Sequence, residues 1–221
     1  LALLDAAENK LIELKTTASG TIRVGATDSI FSYILTDKIV EFNEKYPAVR
    51  FELITGTTPE TLMQLKENKC DIGFINLPVE DKDVNFTGTV YHLSDIFVAS
   101  SKKYAALQDR QVNLKDLQEY PLLMIEANTV ARRAFASFTQ SLGINLSPDI
   151  EVANWDLMLK FARCGMGIGC LPREYAKKEL ESGELFEVDI NPRLPVRGVG
   201  MALPKNVPVP FALREFIGLF N

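Results

Sequence analysis

Thr27, Asp28 and Ser29 stand together where the apolar run TIRVGA gives way to the amphipathic stretch IFSYIL. Two hydroxyls and a carboxylate at a strand-to-helix turn have two uses. They cap the helix by accepting from its first backbone N–H groups, which have no partner inside the helix, or they hold a polar ligand beside those same groups. The two uses are compatible, and residue type alone does not separate them.

Other residues invite sharper chemistry and do not sustain it. Gly165, Gly167 and Gly169 in CGMGIGCLP have the spacing of a phosphate loop. They follow a helical pattern and open a strand, the reverse of a dinucleotide fingerprint, so they read as a helix C-terminus and a tight turn. Cys164 and Cys170 flank that turn and would suit a thiol pair. Free cysteine is among the most buried residue types, so both read as buried, inert thiols, with Cys70 as a further core residue. The single histidine, His92, has Asp95 nearby in sequence and Cys70 in another strand. Nothing in that spacing imposes a nucleophile, base and orienter, and no catalytic residue is assigned. The cysteine spacing fits no zinc site, and neither a metal nor a cofactor is expected.

The elements that must position these groups follow from the totals and the pattern. A chain of 221 residues can bury one large core or two smaller ones without disulfides or metals. Its 24 basic and 29 acidic residues leave a formal charge of -5, which repels a phosphate backbone. No apolar run approaches the roughly 18 residues of a membrane span. The opening segment LALLDAAENKLIELK lacks the basic region and cleavage site of a signal peptide and reads as the tail of a longer helix. With three cysteines in apolar segments, a reducing cytoplasm is the expected location.

TASG breaks the first helix, and TIRVGA then reads as a strand leading to a helix from about Ser29 to Tyr46, stopped by Pro47. VRFELIT is a strand, PETLMQLKEN a short helix and CDIGFIN a buried strand. This βαβαβ order requires a mostly parallel sheet with helices on both faces. VNFTGTVYHLSDIFVASS reads as two extended runs, and a second alternating series starts near Ser100. It contains the helix VARRAFASFTQSLG, the strand DIEVA, the helix NWDLMLKFARCG and the strand GIGCLP. The final helix, PFALREFIGLFN, belongs to either lobe on local pattern alone.

Over the whole chain this order, with the segments TIRVGATDSIFSYILTDKIVEFNEKYPAVRFEL, GTTPETLMQLKENKCDIGFI, IEANTVARRAFASF and NWDLMLKFARCGMGIGCLPREY, resembles the effector-binding domain of LysR-type transcriptional regulators. The resemblance implies a periplasmic-binding-protein-like fold of type 2, with two α/β lobes joined by two crossover strands. Residues 20–97 and 198–221 would form the first lobe, 98–197 the second, and 1–19 the end of a linker helix. A winged helix-turn-helix domain would precede this chain and carry the DNA contact. The domain would bind a small-molecule effector between the lobes and associate as a homodimer or homotetramer. In that arrangement the helix Phe31 to Phe42 of one copy meets the helix Arg132 to Leu142 of another. Phe31, Tyr33, Ile34, Phe135 and Phe138 supply apolar surface beyond one core stripe.

The same resemblance implies where the effector touches: Thr27, Asp28, Ser29 and Ile30; Thr57 and Thr58 after Gly56; Asn128, Thr129 and Val130; and Asn154 with Trp155. Asp28 beside Ser29, and EANTV in place of a commoner Pro-Gly-Ser-Gly pattern, leave the effector's identity open. A solute-binding protein of a transporter is the rival reading, followed by an enzyme on the same fold.

Overall fold

The structure is a computed structural model that describes residues 19–220. The linker-helix reading of Leu1 to Lys15 lies outside the described residues. Two compact units emerge among the described residues, one of 19–75, 79–90 and 199–220, the other of 76–78 and 91–198.

In the first unit β1 (Gly20–Ala26) pairs in parallel with β2 (Val49–Thr55) from Gly20↔Val49 to Ala26↔Thr55, and with β3 (Ile72–Asn76) at Val24↔Ile72. Ile22, Val24 and Ala26 are buried on alternate positions, and β3 is buried on both faces from Ile72 to Ile75, as a parallel strand covered by helices must be. The sheet continues from β3 through parts of two long strands, β11 (Val196–Pro204) and β4 (Val84–Ser100). β4 is a single strand of 17 residues, where the sequence suggested two extended runs. Gly88, at φ +95°, marks the point where alternation falters without ending the strand.

The helix expected from Ser29 to Tyr46 has three parts: α1 (Asp28–Ile30), a π-helical turn over Phe31–Leu35, and α2 (Thr36–Lys45). The wider turn accommodates Ile30, Phe31, Ile34 and Leu35, all at most 8% exposed, and Thr36 Oγ1 donates to the Phe31 carbonyl at 2.8 Å. α3 (Thr58–Lys66) links β2 to β3. The last helix, α7 (Phe211–Ile217), belongs to this unit because Phe216 stacks edge-on against Phe51 at 5.2 Å and Phe42 at 5.3 Å.

In the second unit the strand order is β4, β8 (Ile168–Pro172), β6 (Leu122–Ile125) and β7 (Ile150–Val152), with β9 (Leu185–Val188) also on β4. A separate two-stranded pair joins β5 (Val112–Asn113) and β10 (Ile190–Asn191). β6 is central, parallel to β7 and β8, and all four of its residues are buried. α4 (Val130–Ser141), α5 (Trp155–Arg163) and α6 (Lys177–Glu181) connect the strands. Phe97, Leu122, Met124, Phe135 and Ile168 lie in one core. The long run of the second unit starts at Tyr91, within β4, and β11 passes back to the first at Val199.

Candidate functional site

Each of the four polar segments singled out in the sequence lies at a helix start. Thr27, rather than Asp28 or Ser29, is the N-cap of α1, and its hydroxyl lies 3.4 Å from the Ile30 amide and 3.1 Å from Ser29 Oγ. Asp28 is exposed in the first turn, where its charge faces the positive end of the helix. Thr57 caps α3 through Glu60, whose Oε2 accepts both the Thr57 amide at 2.7 Å and its hydroxyl at 2.8 Å. Those bonds hold the Glu60 carboxyl below the usual carboxylate range. Thr58 is buried.

Thr129 caps α4: its hydroxyl accepts from the Arg132 amide at 3.1 Å and donates to the Glu126 carbonyl at 3.0 Å. The single proton of that hydroxyl is thereby committed, leaving one lone pair for any further partner. Asn128 gives its carbonyl to Arg133 at 2.6 Å, and Val130 is half-buried. Asn154 caps α5 by accepting from the Leu157 amide at 2.9 Å.

A recess opens in the second unit beside these starts. It is shallow and open, and is lined by Asp95, Met124, Ile125, Ala131, Arg132, Phe135, Trp155 and Cys170. Trp155 is the residue of the sequence-based set that lines it; Asn128, Thr129, Val130 and Asn154 do not. The Trp155 ring meets the edge of Tyr175 at 6.0 Å. Arg132 reaches over Phe135, its Cζ lying 5.9 Å from the ring centroid. Sequence reasoning missed Asp95 and Arg132, and periodicity carries no signal for either.

Asp95 is held by Arg197: Nε donates to Oδ2 at 2.5 Å and the second guanidinium nitrogen to Oδ1 at 2.8 Å. Arg197 is 6% exposed and also points a nitrogen at Asn76 Oδ1, 3.4 Å away. Burial works against its charge, but the hydrogen bonds and charge of Asp95 outweigh it and raise its pKa above the ordinary value.

The reactive-group readings resolve on burial. Cys70 is buried, donates to Gln64 Oε1 at 3.3 Å, and burial pushes its thiol up to about 11. Cys170 sits beside Asp95, and burial, reinforced by that carboxylate, drives its thiol well above the ordinary range. Cys164 is exposed, not buried as its apolar surroundings suggested, because it occupies the C-cap of α5 where the chain turns outward into Gly165 at φ +71°. Gly165 and Gly167 make the turn expected of them: a side chain at Gly167 would bring Cβ within 2.6 Å of the Pro121 carbonyl oxygen. His92 is exposed on β4. Among the described residues no cluster of His, Cys, Asp and Glu could hold a metal ion, and no helix is long and apolar enough to cross a membrane.

Comparison with known proteins adds the lineage. Residues 15–221 match the family model described as the LysR substrate binding domain. The chain is 28% identical over 195 residues to the uncharacterized HTH-type transcriptional regulator YeiE of Escherichia coli K12, covering 88% of this chain and 65% of that one. Among solved structures, the Synechocystis CcmR regulatory domain in complex with 2-PG superposes with a TM-score of 0.80 at 18% identity, covering 91% of this chain and 96% of that one. The effector-binding domain of QuiR in complex with shikimate gives 0.75 at 18% identity, covering 92% and 100%. These likenesses show a shared fold.

Proposed function

The chain belongs to the LysR substrate-binding domain family, and from that premise we propose that it is the sensing domain of a transcription regulator, which reads the level of a small molecule and passes the result to a DNA-binding domain elsewhere in the whole protein. The chain spans 65% of the length of the regulator YeiE, which leaves room for such a domain. The observation that carries the reading is the recess at the starts of α4 and α5, where an apolar floor meets the unpartnered Arg132 Nε, the usual composition of a small-molecule site. The ligands of the CcmR and QuiR complexes, 2-PG and shikimate, support the same class of function.

As effector contacts we retain Thr27, Asp28, Ser29, Ile30, Thr57 and Thr58 in the first unit and Asn128, Thr129, Val130, Asn154 and Trp155 in the second. Capping by Thr27, Thr57, Thr129 and Asn154 fixes the orientation of helix-start amides, which is the groundwork for binding rather than a competitor to it. The effector acts by binding one arrangement of the full protein more tightly than another, since only differential affinity can shift such an equilibrium. The regulator works in the cytoplasm as a homodimer or homotetramer. The crossover strands are β4 and β11, the two strands that contribute to both units. A thermal-shift screen of metabolites, followed by calorimetry on each stabilising compound, tests the reading. A saturable one-to-one binder supports it; a compound that is chemically converted on incubation with the protein favours an enzyme instead.

A further inference from the structure

The recess in the second unit has a polar inventory that narrows what fits it. Arg132 Nε is fully buried and has no hydrogen-bond partner. A buried donor without an acceptor is costly and rare in folded chains. Its neighbour Arg133, by contrast, spends its charge locally on the Asn128 carbonyl at 2.6 Å. Trp155, with its indole N–H donor, lines the same recess. The carboxylate present, Asp95, is already gripped at both oxygens by Arg197. That pair is internally neutral, so Arg132 is the unbalanced charge on the recess. The remaining walls, Met124, Ile125, Ala131, Phe135 and Cys170, are apolar, and the Cys170 thiol, held protonated, adds no charge.

We infer that the ligand is an organic acid carrying one carboxylate on a compact apolar body, with the carboxylate on Arg132, the Trp155 N–H as a second donor, and the body against Met124, Ile125 and Phe135. The inference rests on the sensing function proposed above and makes Arg132 the residue that decides ligand class. One guanidinium against one carboxylate gives charge balance and charge-assisted hydrogen bonds. A dicarboxylate would leave its second charge facing Asp95 and an apolar wall, and a neutral isostere would leave the guanidinium unpaired.

The test uses the 221-residue chain labelled with nitrogen-15, with isovalerate and benzoate as probes and isovaleramide and benzamide as their neutral counterparts. At millimolar concentration at least one acid is expected to shift the Trp155 indole resonance saturably, while its amide binds about 10- to 100-fold more weakly. Arg132→Met, which keeps the apolar stem, is expected to lose the preference for acid over amide while retaining the wild-type melting temperature. Arg132→Lys should recover part of it. Amides that bind as tightly as acids, an unchanged preference in Arg132→Met, or no shift from either acid would overturn the proposal. A neutral metabolite that moves the Trp155 resonance would overturn the ligand class alone, whereas a tight metabolite that leaves every residue of the recess unmoved would overturn the sensing site itself.

Discussion

Arg197 and Asp95 form a two-pronged ion pair between β11 and β4, with contacts of 2.5 and 2.8 Å and side chains only 5% and 11% exposed. The pair lies on the two strands that contribute to both units. Its carboxylate also borders the recess, so the same bond that ties the strands keeps Asp95 from competing for a ligand's partner.

Removing one member should therefore cost far more than removing both. Arg197→Met is expected to lower the unfolding free energy by about 3–5 kcal/mol, because a buried carboxylate is left uncompensated. Adding Asp95→Leu should restore most of that loss. Urea denaturation of the two single variants and the double variant measures the effect; a loss in the double variant equal to the sum of the two single losses would show that the pair itself carries no coupling.

The thiols should separate by burial. At pH 8 an aromatic disulfide reagent is expected to titrate Cys164 quickly, the half-buried and protonated Cys170 slowly, and Cys70 only on unfolding. The Cys70 thiol, raised from 9.0 to about 11, binds its proton more tightly in the folded chain. Between those values the unfolded chain loses that proton first, so stability falls as pH rises through this window, by about 3 kcal/mol at most. Comparing Cys70→Ala with the parent chain over that range isolates the contribution, which should vanish in the variant.

Capping and ligand contact at Thr129 can be told apart. Thr129→Ala is expected to cost about 1 kcal/mol of stability with no ligand present, since the Arg132 amide loses its acceptor, and Thr129→Ser should retain the cap. Because the hydroxyl proton is spent on Glu126, a ligand can use Thr129 only as an acceptor, and an effect of Thr129→Ala on affinity beyond that of a melted first turn would show such a contact. For Ser29→Ala, whose hydroxyl shares one bond with Thr27, we expect affinity to fall by somewhat less than tenfold, about 1 kcal/mol, with the fold intact.

The chain should self-associate without binding DNA. Phe31, Ile34 and Phe135, read from sequence as spare apolar surface, are core residues at 7–8% exposure, so they cannot carry the association. Tyr33 and Phe138 remain half-buried, Val40 is 53% exposed and Leu53 49% exposed on the outermost strand β2. Sedimentation equilibrium should give at least a dimer, and Leu53→Lys with Val40→Lys should weaken it; a monomer at high concentration would contradict the arrangement. With a charge of -5, the chain alone should give no gel shift with duplex DNA at physiological salt.

Periodicity and turn chemistry made much of this fold readable. Ile22, Val24 and Ala26 alternate as a strand must, the unbroken run from Ile72 to Ile75 marks a strand covered on both faces, and all four polar segments lie at helix starts. What stayed hidden depends on contacts distant in sequence. The return of the last helix to the first unit is visible only in Phe216 against Phe42 and Phe51. Arg132 and Arg133 are indistinguishable as letters, and burial without a partner is what separates one from the other. Cys164 misled because apolar neighbours on a helix do not say which residue ends it.

A small-molecule site on the second unit can be read directly at Trp155, the lone tryptophan, which lines the recess. A compound shown by calorimetry to bind should be titrated while indole emission and quencher accessibility are followed. A saturable change in both is expected, with a midpoint at the calorimetric Kd. Constant wavelength, intensity and accessibility through saturation would contradict it and remove Trp155 from the site.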